Sequence, residues 1–248
     1  MKKNNKSPKP LLLSSRTAGP DLSRCELFKC FSPSELKWIQ KHCELQTFKR
    51  RETLFQEGAP LSSVYFILKG HVKFCKKTSL DEDITFGLFS EGYVFELMTS
   101  DLDKNHSFSA YAMSETTILK ISPTHFRTHF MGNTDFANRL LYQKIYTIKR
   151  IFISRLAAGE SVEVRMAHLV WDLLQRPGMA KYEGKTVRLE IPLTRRDFAE
   201  IVNTSVETSI RVMRKWVKQG LVTITRRQLI IKDIVVFKKI VCKIPRFT

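Results

Sequence analysis

The spacing of apolar residues changes several times along the chain, and each change marks an element. Residues 1–24 show no period at all. Lys, Pro, Ser and Asn dominate there, too little apolar surface is available to offset ordering entropy, and a flexible basic tail is expected. From Cys25 the pattern turns helical, because Ser32-Pro33-Ser34-Glu35 resembles a capped helix start that Leu36 and Ile39 continue. After Thr47 the runs become short: Val64–Leu68, Val72–Phe74, Ile84–Phe89, Ser107–Tyr111 and Thr117–Ile121, separated by Gly58, Gly70, Gly87 and Gly92. Short strands with glycine corners predict a sandwich or barrel.

Residues 134–157 restore the helical period. Leu141, Ile145, Ile148 and Phe152 recur at steps of four, three and four, with Leu140 and Leu156 beside them. So long a helix with so narrow a seam needs a partner, either its own barrel or a second copy. Bases such as Lys144, Lys149 and Arg150 crowd the other faces and favour the second copy, in a parallel coiled coil. Ala157-Ala158-Gly159-Glu160-Ser161 then reads as a hinge, with Gly159 closing one helix and Ser161 capping the next. That next helix covers 162–176 and stops at Arg176-Pro177-Gly178, after which Val187–Ile191 alternates like a strand.

Two helix starts follow in quick succession. Thr194-Arg195-Arg196-Asp197 has the form of a capping box and leads into Phe198, Ile201 and Val202. Asn203 tolerates a left-handed turn, so the short helix is expected to stop there. Thr204-Ser205-Val206-Glu207 is a second capping box, opening a helix that runs to Gln219 and closes at Gly220. Two short helices around a tight turn make a helix-turn-helix. In the second, Val206, Ile210, Met213 and Val217 are expected to face inward, leaving Glu207, Arg211, Arg214 and Lys218 as an exposed, net basic stripe. Residues 221–225 and 228–231 form a hairpin with Arg226 and Arg227 at its tip, a wing suited to lie along phosphate.

Composition sharpens this picture. The 248 residues are 43% apolar and fit one large domain or two modest ones. The formal charge is +18, unevenly placed: residues 1–24 carry six bases and one acid, 25–180 twenty and seventeen, and 181–248 sixteen and six. A polyanion is therefore expected to meet the ends of the chain rather than its middle. The five cysteines, 25, 30, 43, 75 and 242, are odd in number and irregular in spacing, which suits reduced thiols in a cytoplasmic protein. No signal-peptide core is present, and no apolar run approaches the roughly 20 residues of a membrane span. The chain lacks a G-x-S-x-G, H-E-x-x-H or P-loop sequence, and an enzyme is not expected.

The order of strands, long helix, hinge and the stretch LTRRDFAEIVNTSVETSIRVMRKWVKQGLV resembles the Crp/Fnr family of transcription regulators over residues 25–235. The resemblance implies an α+β protein: a cyclic-nucleotide-binding-type β-roll (a double-stranded jelly roll) at 25–133, a dimerisation helix and hinge at 134–159, and a winged helix-turn-helix at 160–248. Residues 1–24 remain the basic tail. The implied activity is regulation of transcription by a homodimer on double-stranded DNA, with RNA polymerase and an unidentified small-molecule effector as further partners and no membrane. Val206, Glu207 and Arg211 fall where the fumarate and nitrate branch carries V-E-x-x-S-R, which implies a palindrome of TTGA-like half-sites. Ile210 stands at the serine position of that pattern. Arg is suited to guanine O6 and N7, and Glu to a cytosine amino group. Thr194, Arg196, Thr204, Thr208, Ser209, Arg226 and Arg227 are the candidate phosphate contacts, and Leu141, Ile145, Ile148 and Phe152 the dimer seam.

Members that bind cyclic AMP hold its ribose with the Glu of a G-E-L run and its phosphate with an Arg-Ser pair. This chain has Phe95-Glu96-Leu97 and His106-Ser107 instead. An imidazole offers single-point contacts in place of a permanently charged fork, so Phe95, Glu96, His106 and Ser107 form a degenerate effector pocket in which cyclic AMP is not expected. Ile151 and Phe152 stand where those members place a hydroxyl pair. His106 is then either a loop histidine or a contact to some other anion. An iron–sulfur cluster needs four thiolates, but the cysteine spacing misses that pattern and Leu119 takes the barrel position of the fourth ligand. Cys75 reads as a small buried apolar residue rather than a haem ligand, so no cofactor is expected; a thiol redox role for Cys25 and Cys30 stays open. A second class fits the same composition: a non-catalytic interaction protein whose β-roll and winged helix dock an acidic protein or RNA.

Overall fold

The computed structural model describes residues 22–79, 83–96, 104–225 and 228–241. The expected basic tail lies outside them except for Leu22–Arg24, which form a helical turn with Leu22 only 2% exposed. Leu22 therefore belongs to the core, in the cluster of Phe28 and Phe31, whereas Ser23 is exposed.

Helix α1 (Pro33–His42) begins as expected, with Ser32 accepting from Glu35 N and Glu35 reaching back to Ser32 N. Eight strands follow: β1 (Glu44–Phe48), β2 (Thr53–Phe55), β3 (Val64–Lys69), β4 (His71–Lys77), β5 (Asp83–Ser90), β6 (Val94–Phe95), β7 (Ser109–Ala112) and β8 (Thr116–Ile121). They pair antiparallel into two sheets, ordered β1-β8-β3-β6 and β2-β7-β4-β5. The run Val64–Leu68 is apolar throughout because β3 is covered on both faces. Tyr65 and Ile67 join Phe48, Phe74 and Phe95 between the sheets, whereas Val64 and Phe66 face a second cluster with Phe28, Phe130 and Phe136.

Gly70 is a true corner: its φ is +91°, and a Cβ there would lie 2.3 Å from Glu115 O. Gly87 is not. It sits inside β5, opposite Phe74, where the Phe89 ring occupies the space of a Cβ. The first strand also starts before Thr47, at Glu44.

A short helix α2 (Pro123–His125) runs through a π-helical turn (Phe126–Phe130) into α3 (Thr134–Ala157), whose bounds match the periodic stretch. Leu140 is buried, and Gln143 fixes α3 to the β5–β6 corner by accepting from Val94 N at 3.0 Å and donating to Gly92 O at 2.7 Å. Lys144 and Arg150, read as bases on an outer face, instead turn into the molecule. Lys144 Nζ donates to Val94 O, and Arg150 Nε stands 4.0 Å from Asp172.

The C-terminal module contains α4 (Val162–Leu174), β9 (Ala180–Glu183), β10 (Thr186–Leu189), α5 (Arg195–Ile201), α6 (Val206–Lys218), β11 (Val222–Ile224), β12 (Leu229–Ile231) and α7 (Ile234–Val241). Its sheet is ordered β11-β12-β10-β9. Ser161 caps α4 as expected, but the α3 helix closes on Ala158, and Gly159 is not among the residues with positive φ. Trp216, wholly buried on α6, stacks edge-on against Phe237 of α7 at 5.3 Å and donates its indole N–H to Glu163 Oε1 of α4 at 3.1 Å. Glu163 also pairs with Lys215.

The two modules are tied directly. Lys73 of β4 pairs with Asp197 (3.2 Å) and Glu200 (3.4 Å) of α5, and Thr85 of β5 donates to Glu200 at 2.9 Å. His71 Nε2 is 2.9 Å from Gly178 O, so that nitrogen carries the proton, and Ser90 donates to Pro177 O at 2.7 Å. Burial holds His71 below its ordinary value of 6.5 against the smaller, opposing pulls of the Gly178 carbonyl and Glu190. Burial, then Arg176, lowers His168 likewise.

Both kinds of contact can be tested by unfolding. Glu163→Ala leaves a fully buried indole N–H unpaired and should lower the unfolding free energy by about 1–3 kcal/mol in urea titrations, with Glu163→Gln losing less. Because both histidines bind protons more readily unfolded than folded, their contribution is complete above 6.5 and declines as the pH falls below it. The urea midpoint should therefore drop between about pH 7 and about pH 5.5, and His71→Gln should flatten part of that slope.

Candidate nucleic-acid interface

Helix α5 opens on the expected capping box. Thr194 Oγ1 accepts from Asp197 N at 3.1 Å, while Asp197 Oδ2 accepts from Thr194 N at 2.8 Å. The Thr194 hydroxyl donates to the same carboxylate at 2.6 Å, so it has no free proton for a phosphate. Asn203 adopts φ +52°, the left-handed turn expected of it, and its carbonyl accepts from Arg165 Nη2 at 3.3 Å.

The start of α6 differs from expectation by one residue. Ser205 rather than Thr204 is the N-cap, accepting from Thr208 N at 3.1 Å. The buried face also differs. It consists of Ser209, Val212, Met213 and Trp216, whereas Val206 (36% exposed) and Val217 (46%) reach solvent. At about 100° per residue this moves the polar stripe of Glu207, Arg211, Arg214 and Lys218 from a flank to the side opposite the core. All four are exposed. Among the described residues, neither Glu207 nor Arg211 meets an ionic partner, including one another.

Ser209 cannot serve as a phosphate contact. It is fully buried, and its hydroxyl donates to Arg195 O at 3.1 Å, locking α6 onto the start of α5. Arg196 is open, with its side chain 77% exposed despite a 2.9 Å pair with Glu200. Thr204 and Thr208 are half-buried near the leading end of α6. Strands β11 and β12 form the expected hairpin, closed by Thr225 N donating to Gln228 O at 3.0 Å; Arg226 and Arg227 lie outside the described residues.

The seam residues line one exposed side of α3: Leu141 57%, Ile145 38%, Ile148 52% and Phe152 60%. Tyr142, Tyr146 and Leu156 widen this apolar stripe.

In the degenerate pocket the acid and the histidine meet each other, while Phe95 and Glu96 border a cavity of about 800 Å³ that β5 and α3 also line. His106 lies in a loop, between the Asn105 bridge and β7, yet is only 3% exposed. Its ring stacks on Phe55 at 3.7 Å, and its Nδ1 lies 2.8 Å from Glu96 Oε1. Phe95 is buried and stacks on Tyr65 at 5.1 Å. Glu96 holds an unusual φ of +56°. Ser107 is exposed, with its carbonyl receiving Lys76 at 3.0 Å, and Leu97 lies outside the described residues.

Cys25, Cys30 and Cys43 border one core cluster. Burial raises the first two above their ordinary value and pushes the Cys43 thiol up to about 12, which keeps all three protonated. Cys75 is buried with its sulfur 3.4 Å from Thr85 Oγ1. Cys242 lies outside the described residues. Among the described residues, no helix is long and apolar enough to cross a membrane.

Sequence reading missed Glu163 and Trp216, which position the reading helix, Arg165, which holds the turn before it, and Lys73, which holds α5. Trp216 alone left a signal, as the one aromatic residue of α6.

Residues 45–133 match the family model of the cyclic nucleotide-binding domain, and residues 164–240 that of the Crp-like helix-turn-helix domain. The cAMP-activated global transcriptional regulator CRP of Salmonella typhimurium is 23% identical over 202 residues, spanning 79% of this chain and 93% of its own. A CRP-like cAMP-activated global transcriptional regulator of Mycobacterium tuberculosis is 24% identical over 215 residues, spanning 86% and 94%. Among solved structures, a CRP-family regulator from Thermus thermophilus superposes with a TM-score of 0.67 at 16% identity, over 82% of this chain and 100% of its own. FixK2 from Bradyrhizobium japonicum gives 0.67 at 18% identity, over 80% and 96%. The two family matches together take in more than half of the chain, in the order in which the β-roll and the helix-turn-helix are built, and the chain belongs to the Crp/Fnr family of transcription regulators.

Proposed function

We propose that this regulator acts as a homodimer and reads a palindromic DNA site of TTGA-like half-sites through Val206, Glu207 and Arg211. The observation that carries the reading is the exposure of Glu207 and Arg211, without ionic partners among the described residues, on the side of α6 opposite its buried face. A buried guanidinium or carboxylate would have to break its own contacts before meeting a base; these two need not. Arg196, Thr204, Thr208 and the wing residues Arg226 and Arg227 supply phosphate contacts, and the basic excess of residues 181–248 makes that affinity salt-sensitive.

The seam supports the dimer, because an apolar stripe of Leu141, Ile145, Ile148 and Phe152 is left uncovered by the chain's own β-roll. Two copies joined there can present two α6 helices to successive major grooves, about 34 Å apart. The pairing of Glu96 with His106 supports independence from cyclic AMP, since the carboxylate expected to take a ribose is already engaged. RNA polymerase as a partner, a cytoplasmic site of action and the lack of a cofactor belong to the same reading.

Arg211→Ala should weaken binding to a guanine-containing site by about 1–3 kcal/mol while sparing scrambled duplex, in anisotropy titrations at one fixed salt concentration. Equal losses on both duplexes would contradict base readout and favour an interaction protein that follows charge alone. Phe152→Glu, placed on the exposed seam, should convert the dimer to a folded monomer in sedimentation equilibrium and abolish tight binding to the palindrome; an unchanged mass would contradict the seam.

A further inference from the structure

Three of the six histidines gather around one tryptophan, away from both the DNA-reading unit and the cavity beside α3. His42 closes α1, His125 ends α2, and His129 lies on the π-helical turn that follows. Trp38, one turn before His42, packs on the core cluster of Phe28 and Ile39 and holds the group in place. The His42 ring stacks on the indole at 4.2 Å and 17°, and His129 overlaps it at 3.6 Å and 31°. No ring contact joins His42 to His129 among the described residues, so the two take opposite faces of Trp38. His125 stands at the rim, edge-on to the others: 5.2 Å from Trp38, 5.6 Å from His42 and 6.0 Å from His129.

The ring nitrogens of this cluster are open. His42 Nδ1 lies 2.8 Å from Trp38 O; a carbonyl only accepts, so that nitrogen carries the proton and Nε2 keeps its lone pair. A hydrogen bond of this kind fixes the tautomer and orientation of a metal-binding imidazole. Among the described residues, no protein group hydrogen-bonds a ring nitrogen of His125 or His129. By contrast His71 and His106, both buried, are committed to a carbonyl and a carboxylate. His42 and His129 are exposed and His125 is half-buried, so solvent ions reach them.

The three rings do not converge on one point. No set of three or more His, Cys, Asp and Glu among the described residues is placed to hold one metal ion, and here the indole keeps His42 and His129 apart. A pair is a different matter. Two imidazoles on one tetrahedral ion, each about 2.0–2.1 Å from it, have ring centroids roughly 5 Å apart. His42 and His125, at 5.6 Å and 83°, come nearer to this than His125 and His129 at 6.0 Å, and a small rotation of the exposed His42 ring closes the difference.

We propose that His42 and His125 bind a divalent transition-metal ion of the zinc class, through His42 Nε2 and one ring nitrogen of His125, with water completing the shell. Imidazole suits zinc and its neighbours in the first transition row, whereas magnesium and calcium prefer oxygen. With two protein ligands the ion exchanges freely, unlike one in a closed four-ligand structural site. It clips the end of α1 to α2 and draws on no residue of the DNA-reading unit, so the site stands or falls apart from sequence readout.

The test titrates untagged full-length protein with zinc chloride by calorimetry, without DNA, and with magnesium chloride as the control. One zinc ion should bind per chain and magnesium should give no signal. His42→Gln and His125→Gln should each weaken zinc by roughly tenfold or more, while His129→Gln, on the other face of the indole, leaves it nearly unchanged. Carbethoxylation of the unaltered protein by diethyl pyrocarbonate, mapped by mass spectrometry, serves if a variant fails to fold: zinc should shield His42 and His125 and leave His129 reactive. The absence of zinc binding, undiminished binding in either the His42 or the His125 variant, or shielding of His129 without His42 would each overturn the proposal.

Discussion

The packing of Trp216 decides which way α6 faces, and the presentation of the DNA-reading residues depends on it. An indole is too large to leave in solvent on so polar a helix and too polar to bury without a partner. Phe237 packs edge-on against it and Glu163 takes its N–H, so α6 is clamped between α4 and α7 in one rotational setting. Ser209 adds a second clamp at the leading end. With Ser209, Val212, Met213 and Trp216 inward, helical geometry leaves Glu207, Arg211, Arg214 and Lys218 outward.

Asp197 links that reading unit to the rest of the chain. One of its carboxylate oxygens closes the capping box of α5, and the other receives Lys73 from the β-roll. Glu200, one turn on, shares Lys73 and also accepts from Thr85. The first helix of the helix-turn-helix is thus initiated and docked by the same acid. A change in the β-roll that moved β4 or β5 would be felt at the start of α5, close to the turn that sets α6.

Much of this was legible in the residues. The four-three-four spacing delimited α3, Asn203 marked the turn, and the glycine at position 70 marked a corner where no side chain fits. What failed did so for definable reasons. Val206, Ile210, Met213 and Val217 have the same period as the true buried face, so spacing alone could not choose between them; only the partners of Trp216 could. Thr204 and Ser205 are both competent caps, and a shift of one residue separates two nearly equal readings. The expectation that a glycine closes the helix has no force at Gly159, because α3 ends in ordinary right-handed backbone at Ala158. The ties of Lys73 to Asp197 and of Glu163 to Trp216 span 124 and 53 residues, distances over which no local pattern speaks. The burial of His106 within its loop was not legible, because Phe55 and Glu96, which enclose it, are not adjacent to it along the chain.

The central claim is that α6 presents base-reading side chains in a symmetric pair, and selection from a random duplex library tests it most directly. Repeated rounds with the full-length protein should enrich a two-fold symmetric site whose half-sites contain a G·C pair and stand one helical turn apart, about 34 Å. Recovery of no common sequence, with retention that tracks only ionic strength, would contradict the account.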